Sequence, residues 1–193
     1  MPTSRELMIQ SAAVLFRERG VAATALSEVI EHSGAPRGSI YHHFPGGKAQ
    51  LVEETTRYAG EVVSAAMTDF ARQHDPLAAV AAFVALWQEI LESNDCRAGC
   101  PVLAAALDGD GEQAAAKVFA QWESLCAGMF RTHGVPARRA RSLATTVVAA
   151  IEGAVVLSRA QRSTLPLQRV GRELGVLLRG ASGGRVRSSP SSG

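Results

Sequence analysis

One short segment, residues 34–48 with the sequence GAPRGSIYHHFPGGK, constrains the fold more than any other part of the chain. The prolines and glycines at its two ends leave room for only about two helical turns between them. The helix predicted there, about 36–44, carries more polar and aromatic groups than a core helix needs. Ile40 and Phe44 are four residues apart, so both can pack inward and hold this helix in place.

The residues before this segment predict two further helices. The pattern Thr3-x-x-Glu6 is a capping box, so helix 1 should begin near Thr3. Thr24 is the predicted N-cap of helix 2, which should cover about 25–33, and Pro36 should occupy the first turn of helix 3. Two short helices joined by a glycine turn form a helix-turn-helix, a motif that DNA-binding proteins use.

The rest of the chain predicts an all-α protein with nine helices. The six later helices should cover about 48–73, 76–92, 100–107, 112–133, 137–163 and 167–179. We therefore expect a head at 1–47, a helical body at 48–180 and a Gly/Ser-rich disordered tail at 181–193. No apolar run is long enough to predict a membrane span, and the N-terminus does not resemble a signal peptide.

Charge is distributed unevenly along the chain. The net charge is +1 for residues 1–48, −8 for 49–130 and +9 for 131–193. The nearly neutral head counts against DNA binding, because DNA-binding domains are usually basic. The basic last third could contact nucleic acid, or its arginines could form the solvated faces of amphipathic helices.

The chain has three cysteines, Cys96, Cys100 and Cys126. An odd and small number does not fit a disulfide framework, which favours a cytoplasmic location and buried structural thiols. A redox or soft-metal site that includes His133 is the alternative, although the spacing fits no standard zinc pattern. No metal and no cofactor is therefore predicted.

The head also resembles a known family. The residues that carry the resemblance keep its order and spacing: Ala12, Phe16, Gly20, Thr24, Gly34, the run 38–44, Lys48 and Leu51. This pattern resembles the TetR family of one-component transcriptional repressors, and residues 35–48 and 99–102 are most similar to its LmrA/YxaF-type branch. The chain departs from the family at Pro36, where a Ser or Thr usually caps helix 3. The resemblance implies a TetR-like fold, a homodimer formed through helices 8 and 9, and a ligand pocket within helices 4 to 8.

A recognition helix places a few side chains on base edges and anchors itself on phosphates. Arg37 would contact guanine, and Gly38 would let the backbone approach the DNA closely. The remaining predicted contacts are those of Thr24, Ser39, Tyr41, His42, His43 and Lys48 with phosphates, bases and thymine methyl groups. Tyr41 could instead be structural, and Arg37 could be an ordinary surface residue.

The candidate pocket residues are Phe83, Trp87, Phe119, Trp122, Met129 and Glu152. Aromatic residues at helical spacing also occur in any helical core, so their assignment to a pocket depends on the resemblance. Glu152 is different, because it is a lone acid in the apolar run VVAAIEGAVV and would be costly to bury unpaired. Arg159, or a cationic or hydroxyl-bearing ligand, could be its partner.

The predicted function is a ligand-responsive, dimeric, DNA-binding transcriptional regulator. It would be a repressor that a small molecule releases from a palindromic operator by changing the separation of the two heads. Two alternatives are a helical ligand-binding protein without DNA binding and a cysteine-based sensor on the same fold. No Ser/His/Asp, Walker or zinc-protease pattern occurs in the sequence, so an enzyme is not predicted.

Overall fold

The computed structural model describes residues 2–36 and 38–182, and within these residues the chain forms nine helices and no strand. This confirms the predicted all-α fold. The helices are α1 (Ser4–Arg19), α2 (Leu26–Ser33), α3 (Ser39–His43), α4 (Gly47–Gln73), α5 (Pro76–Glu92), α6 (Pro101–Ala106), α7 (Glu112–Thr132), α8 (Ala137–Gln161) and α9 (Leu165–Ser182). Because α9 continues to Ser182, the tail predicted from residue 181 begins too early, and residues 183–193 lie outside the described chain.

The head is built on α1, which packs against α2 and α4. Its predicted capping box is present: Thr3 Oγ1 accepts the Glu6 N–H at 3.3 Å, and Glu6 Oε2 accepts the Thr3 N–H at 2.7 Å. The apolar face of α1 is buried, with Met8, Ala12 and Phe16 each at most 1% exposed. The sequence therefore predicted the start and the inward face of this helix correctly.

Two predicted details of the helix-turn-helix are wrong. Thr24 does not cap α2, because its hydroxyl donates to Gly20 O at 2.8 Å, and the N-cap residue is Ala25. The third helix begins at Ser39 rather than near Pro36. Pro36 lies in the preceding turn, where its carbonyl accepts both the Ser39 N–H at 2.9 Å and the Ser39 hydroxyl at 2.6 Å. The hydrogen bond from the Ser39 hydroxyl to Pro36 O competes with the backbone hydrogen bonds of a helix, so α3 begins at Ser39.

The body consists of α4 to α9. The helix α8 packs between α7 and α9, α5 packs on α9, and α4 packs on α5 and α7. By length and composition α8 could span a membrane, since it has 25 residues and a window with a mean hydropathy of 1.5, although the sequence predicted no such helix. Much of its surface is covered by neighbouring helices, and core helices of soluble proteins have the same composition.

Side-chain contacts join the head to the body at both ends of α1, and α1 also packs on α6. On α1, Arg5 pairs with Glu54 of α4 and lies 5.2 Å from the ring centroid of Phe44, which follows α3. At the other end of α1, Arg159 of α8 donates to the carbonyls of Arg17 and Glu18. The orientation of the head therefore depends on both α4 and α8.

Candidate nucleic-acid interface and ligand cavity

The surface of α3 is polar because its two apolar residues point inward. Ile40 is 1% exposed and Phe44 is fully buried, as predicted. With these side chains fixed in the core, Tyr41 is 68% exposed, His42 is exposed and His43 is half-buried. The three rings therefore lie at or near the surface on one short helix, and the His42 and His43 ring centroids are 5.3 Å apart.

The other predicted DNA contacts lie around α3 in different settings. Gly38 is the exposed N-cap residue of α3, and a Cβ atom added there would meet no protein atom within 4 Å. Ser39 and Lys48 are partly exposed, and Lys48 Nζ lies 3.4 Å from Ala22 O between α1 and α2. Arg37 lies outside the described residues.

Thr24 is placed unlike the others. Its side chain is 2% exposed and its hydroxyl hydrogen is used by Gly20 O, so in this conformation the hydroxyl is not available to donate to a phosphate. The amides near Lys48 are also occupied. The Gly46 N–H donates to Gln50 Oε1 at 2.9 Å and the Gly47 N–H donates to Phe44 O at 2.9 Å. The two glycine amides beside Lys48 are therefore used within the protein.

A cavity of about 270 Å³ lies in the body between α4, α5, α7 and α8. Four of the six predicted pocket residues line it: Phe83, Trp122, Met129 and Glu152. Trp87 lies one helical turn from Phe83 along α5 and lines a different groove, between α1, α4 and α5. Phe119 lines neither space but packs edge-on against Trp122, with ring centroids 5.4 Å apart.

The structure adds residues that the sequence reasoning missed. They are Met67, Thr68, Phe70, Ala71 and Arg72 from α4, Ala79 and Val80 from α5, Leu125, Cys126 and Thr132 from α7, and Val147, Val148 and Ile151 from α8. Helical spacing could have found some of them, because Cys126 is four residues from Trp122 and Ile151 is next to Glu152. The α4 residues carry no local signal and are identified only by the packing of α4 on α5 and α7.

Trp122 is oriented by a close contact between α4 and α7. Its indole Nε1 donates to Gly60 O at 3.2 Å. A Cβ atom at position 60 would lie 2.6 Å from Val118 Cγ2, so only glycine allows the two helices to approach this closely. The indole N–H is therefore used by the backbone, and the aromatic ring forms part of the cavity wall.

Glu152 is 9% exposed and its Oε2 atom has no hydrogen-bond partner. Burial raises the pKa of its carboxyl from 4.5 to about 7, while a hydrogen bond with the Cys100 side chain acts in the opposite direction. Arg159 is not its partner, contrary to one expectation, because the Arg159 guanidinium donates to the carbonyls at the end of α1. Glu152 therefore lines the cavity and has one buried oxygen without a hydrogen-bond partner.

The cysteines are free and buried. Burial raises the pKa of Cys126 to about 12 and raises that of Cys100 well above its ordinary value, with the charge of Glu152 as a further cause for Cys100. Thiols in this state are poor nucleophiles. Within residues 2–36 and 38–182, no group of three or more His, Cys, Asp or Glu side chains could hold a metal ion.

A helix-turn-helix head joined to a helical body with a cavity is an architecture of transcriptional regulators. Residues 8–55 match the family described as "Bacterial regulatory proteins, tetR family", and residues 76–173 match "Transcriptional regulator LmrA/YxaF-like, C-terminal domain". The chain belongs to the TetR family of transcriptional regulators, in its LmrA/YxaF-like branch. This confirms the resemblance seen in the sequence and the prediction that the chain is not an enzyme.

Relatives and solved structures agree with this assignment. The uncharacterized HTH-type transcriptional regulator Rv0196 of Mycobacterium tuberculosis is 43% identical over 92% of this chain and 95% of its own length. The HTH-type transcriptional regulator LmrA of Bacillus subtilis is 32% identical over 86% of this chain and 92% of its own. A crystal structure of the regulatory protein TetR from Rhodobacter sphaeroides has the same fold, with a TM-score of 0.80 and 22% identity over 90% of this chain and 97% of that chain.

Proposed function

We propose that this chain is a cytoplasmic, homodimeric repressor that leaves a palindromic operator when a small molecule enters the cavity. The observation that carries the proposal is the course of α4. Its 27 residues extend about 40 Å, from the turn after α3 to the cavity. Leu51 and Val52 near its start are buried in the core that also holds Phe44, and Met67 to Arg72 near its end line the cavity.

This arrangement supports a mechanism in which α4 transmits the ligand signal. A molecule in the cavity pushes on the far end of α4, and the Arg5–Glu54 pair and the packed core at its near end move the head with it. The contact of Arg159 with α1 provides a second connection, because Glu152 lies about two turns earlier on the same helix. Ligand binding thereby selects a head orientation that no longer fits both half-sites.

The proposed DNA contacts are those of α3 and its flanks. Tyr41, His42 and Ser39 are exposed or partly exposed side chains that can reach bases and phosphates, and Arg37 is proposed as a guanine contact from its sequence position. Gly38 permits close approach of the backbone, and His43 and Lys48 would contact the phosphates. Thr24 could join them only if its hydroxyl were released from Gly20 O.

A salt titration of DNA binding tests the regulator. We expect binding to the DNA upstream of its own or a neighbouring gene, with an affinity that falls steeply as salt rises. Lys48→Ala should reduce the log–log slope by about one, because one phosphate contact is lost. Lys117→Ala is the matched control, since Lys117 is an exposed lysine on α7. If no complex forms with any of this DNA at low salt, the DNA-binding function is wrong.

Dimerisation through α8 and α9 is supported by apolar residues that the protomer leaves uncovered. On α8, Val156 and Leu157 are about half exposed, beside the exposed Ala149 and Gly153. On α9, the exposed apolar side chains are Leu165 and Val176. Other apolar residues of these two helices belong to the protomer core instead, namely Leu143, Val147, Ala154, Leu174 and Leu178.

A charge placed on this face should break the dimer. We expect Leu157→Glu to shift the mass measured by sedimentation from dimer to monomer, because a carboxylate would be buried without a partner in the interface. Leu107→Glu is the control, since Leu107 is 84% exposed at the end of α6. A dimer that survives Leu157→Glu as well as it survives Leu107→Glu would contradict the proposed interface.

A further inference from the structure

We infer that the ligand of the body cavity is an apolar organic amine, bound as its ammonium ion against the Glu152 carboxylate. This inference rests on the proposed ligand-responsive function and names the chemical class of the ligand. It follows from the inventory of polar atoms around the cavity, since the side chains there offer hydrogen-bond acceptors and hardly any donors.

The first step concerns Glu152 itself. It is the one acidic residue that lines the cavity, and its Oε2 atom is buried without a hydrogen-bond partner. A buried carboxylate oxygen in apolar surroundings is unfavourable unless a positive charge or a donor reaches it. The nearby Cys100 thiol is only a weak donor. Arg159, on the same helix as Glu152, donates instead to a carbonyl of α1.

The second step concerns the donor groups of the lining. Thr68 Oγ1 donates to Ser64 O at 2.7 Å, Thr132 Oγ1 donates to Met129 O at 2.7 Å, and Trp122 Nε1 donates to Gly60 O. Because backbone carbonyls already take these hydrogens, the two hydroxyl groups can offer a ligand only lone pairs. A ligand that carries a carboxylate or phosphate would therefore find no free strong donor inside.

Arg72 is the one basic residue among those lining the cavity, and it does not change this conclusion. Its side chain is 77% exposed and its guanidinium lies 3.9 Å from Asp69, so it belongs to the solvent side of the cavity. Its charge is screened there by water and by its neighbour. The interior has a negative group at Glu152 and aromatic walls at Phe83 and Trp122, an arrangement that favours an organic cation.

The protonation of Glu152 predicts how binding depends on pH. With a pKa of about 7, its carboxyl is mostly neutral at pH 6 and mostly ionised at pH 8. The other groups around it are Arg72 from α4, Cys126 from α7 with Glu123 nearby, and Cys100 before α6, and both thiols stay neutral in this range. An alkylammonium ion remains charged throughout, so its affinity should rise about tenfold from pH 6 to pH 8.

Calorimetry with three probes of one skeleton tests the inference on the full chain. The probes are 4-phenylbutylamine, 4-phenyl-1-butanol and 4-phenylbutyrate. At pH 8 we expect the amine to bind at least tenfold more tightly than the other two. Glu152→Gln should remove that advantage and leave the affinity for the alcohol unchanged. Glu173→Gln, the same substitution at an exposed acid on α9 outside the cavity, should leave the affinity for the amine unchanged.

Several results would overturn the inference. They are binding of the alcohol or the acid as tightly as the amine, amine binding that Glu152→Gln does not weaken, and no binding of the amine. If Glu152→Gln does not fold, the wild-type pH series replaces it: an amine affinity that stays flat between pH 6 and pH 8 contradicts the inference. DNA binding is measured separately, so loss of the amine site leaves the regulator intact, and failure to bind DNA leaves the amine site intact.

Discussion

The surface of α3 and the cavity of the body are built in opposite ways. On α3 the polar groups are exposed and the two apolar residues, Ile40 and Phe44, are buried. In the cavity the lining is largely apolar, and the one acidic group, Glu152, is buried with an unsatisfied oxygen. The proposed DNA contacts are therefore exposed to water in the free protein, whereas the body carries an electrostatic cost that the proposed ligand would relieve.

This difference explains how one chain can serve as a sensor. Exposed groups on a rigid helix stabilise a complex only through what they contact. A buried, unsatisfied carboxyl makes the empty body less stable than it could be, so a matching ligand gains affinity from removing that cost. Because α4 packs on α1 of the head and also lines the cavity, the proposed mechanism would transmit the relief of that cost to the head.

The largest expected effect tests the division of roles on α3. Phe44→Ala should destabilise the head by about 3–5 kcal/mol, because the ring is fully buried and its removal leaves a cavity. Tyr41→Ala should change stability by less than about 0.5 kcal/mol, because this side chain is 68% exposed. Urea unfolding measures both variants.

DNA binding completes this test. Tyr41→Ala should weaken the DNA complex and leave the free energy of unfolding unchanged. That result would show that Tyr41 contacts DNA but does not stabilise the fold. If Tyr41→Ala destabilises the protein as much as Phe44→Ala does, then Tyr41 is structural and the contact surface of α3 is smaller than proposed.

The second prediction concerns the electrostatic cost in the cavity. Folding raises the pKa of Glu152 from 4.5 to about 7, so between these values the folded state binds more protons than the unfolded state. The stability of the wild type therefore falls as pH rises through this window. An amide does not ionise, so Glu152→Gln should not lose stability in this way. The free energy of unfolding of Glu152→Gln, relative to that of the wild type, should therefore rise by about 3 kcal/mol between pH 4.5 and pH 8.

The measurement is the free energy of unfolding of both proteins across this pH range. Glu173→Gln is the control, because it makes the same substitution at an exposed acid on α9, away from the cavity. A difference between Glu152→Gln and the wild type that is the same at pH 4.5 and pH 8 would show that Glu152 is not held in an unfavourable ionised state.

The sequence predicted the head better than the cavity, for a physical reason. Capping boxes, glycine turns and four-residue apolar spacings act within a few residues, so α1 and the inward positions of Ile40 and Phe44 could be inferred locally. These local patterns did not predict the hydrogen bond from the Ser39 hydroxyl to Pro36 O, which shifts the start of α3. They also placed the N-cap of α2 one residue too early, because the N-cap is Ala25 and the Thr24 hydroxyl donates to Gly20 O.

The cavity depends on contacts between residues far apart in the chain. The family resemblance suggested Trp122 and Met129 as pocket residues, and the apolar run around Glu152 singled out that acid. Neither could show that the end of α4 closes the same space. Arg159 illustrates the limit most clearly. It lies two turns from Glu152 on α8, yet its partners are carbonyls more than 140 residues earlier, at the end of α1.

The smallest expected effect concerns Gly38, where head and DNA would meet most closely. Its φ of −85° suits any residue, and among the described residues an added Cβ meets no atom beyond its chain neighbours within 4 Å. Gly38→Ala should therefore cost no more than about 1 kcal/mol of stability, the size of an N-cap preference. If the backbone of α3 lies close against DNA, the added methyl group should weaken binding by about tenfold, or about 1.4 kcal/mol. Fluorescence anisotropy with the upstream DNA measures the affinity, and thermal unfolding checks the fold.

Gly128→Ala on α7 is the matched control, because its Cβ would also meet nothing within 4 Å. Equal DNA affinities for Gly38→Ala, Gly128→Ala and the wild type would mean that the start of α3 does not approach the DNA, and that recognition depends on Tyr41 and His42 further along the helix.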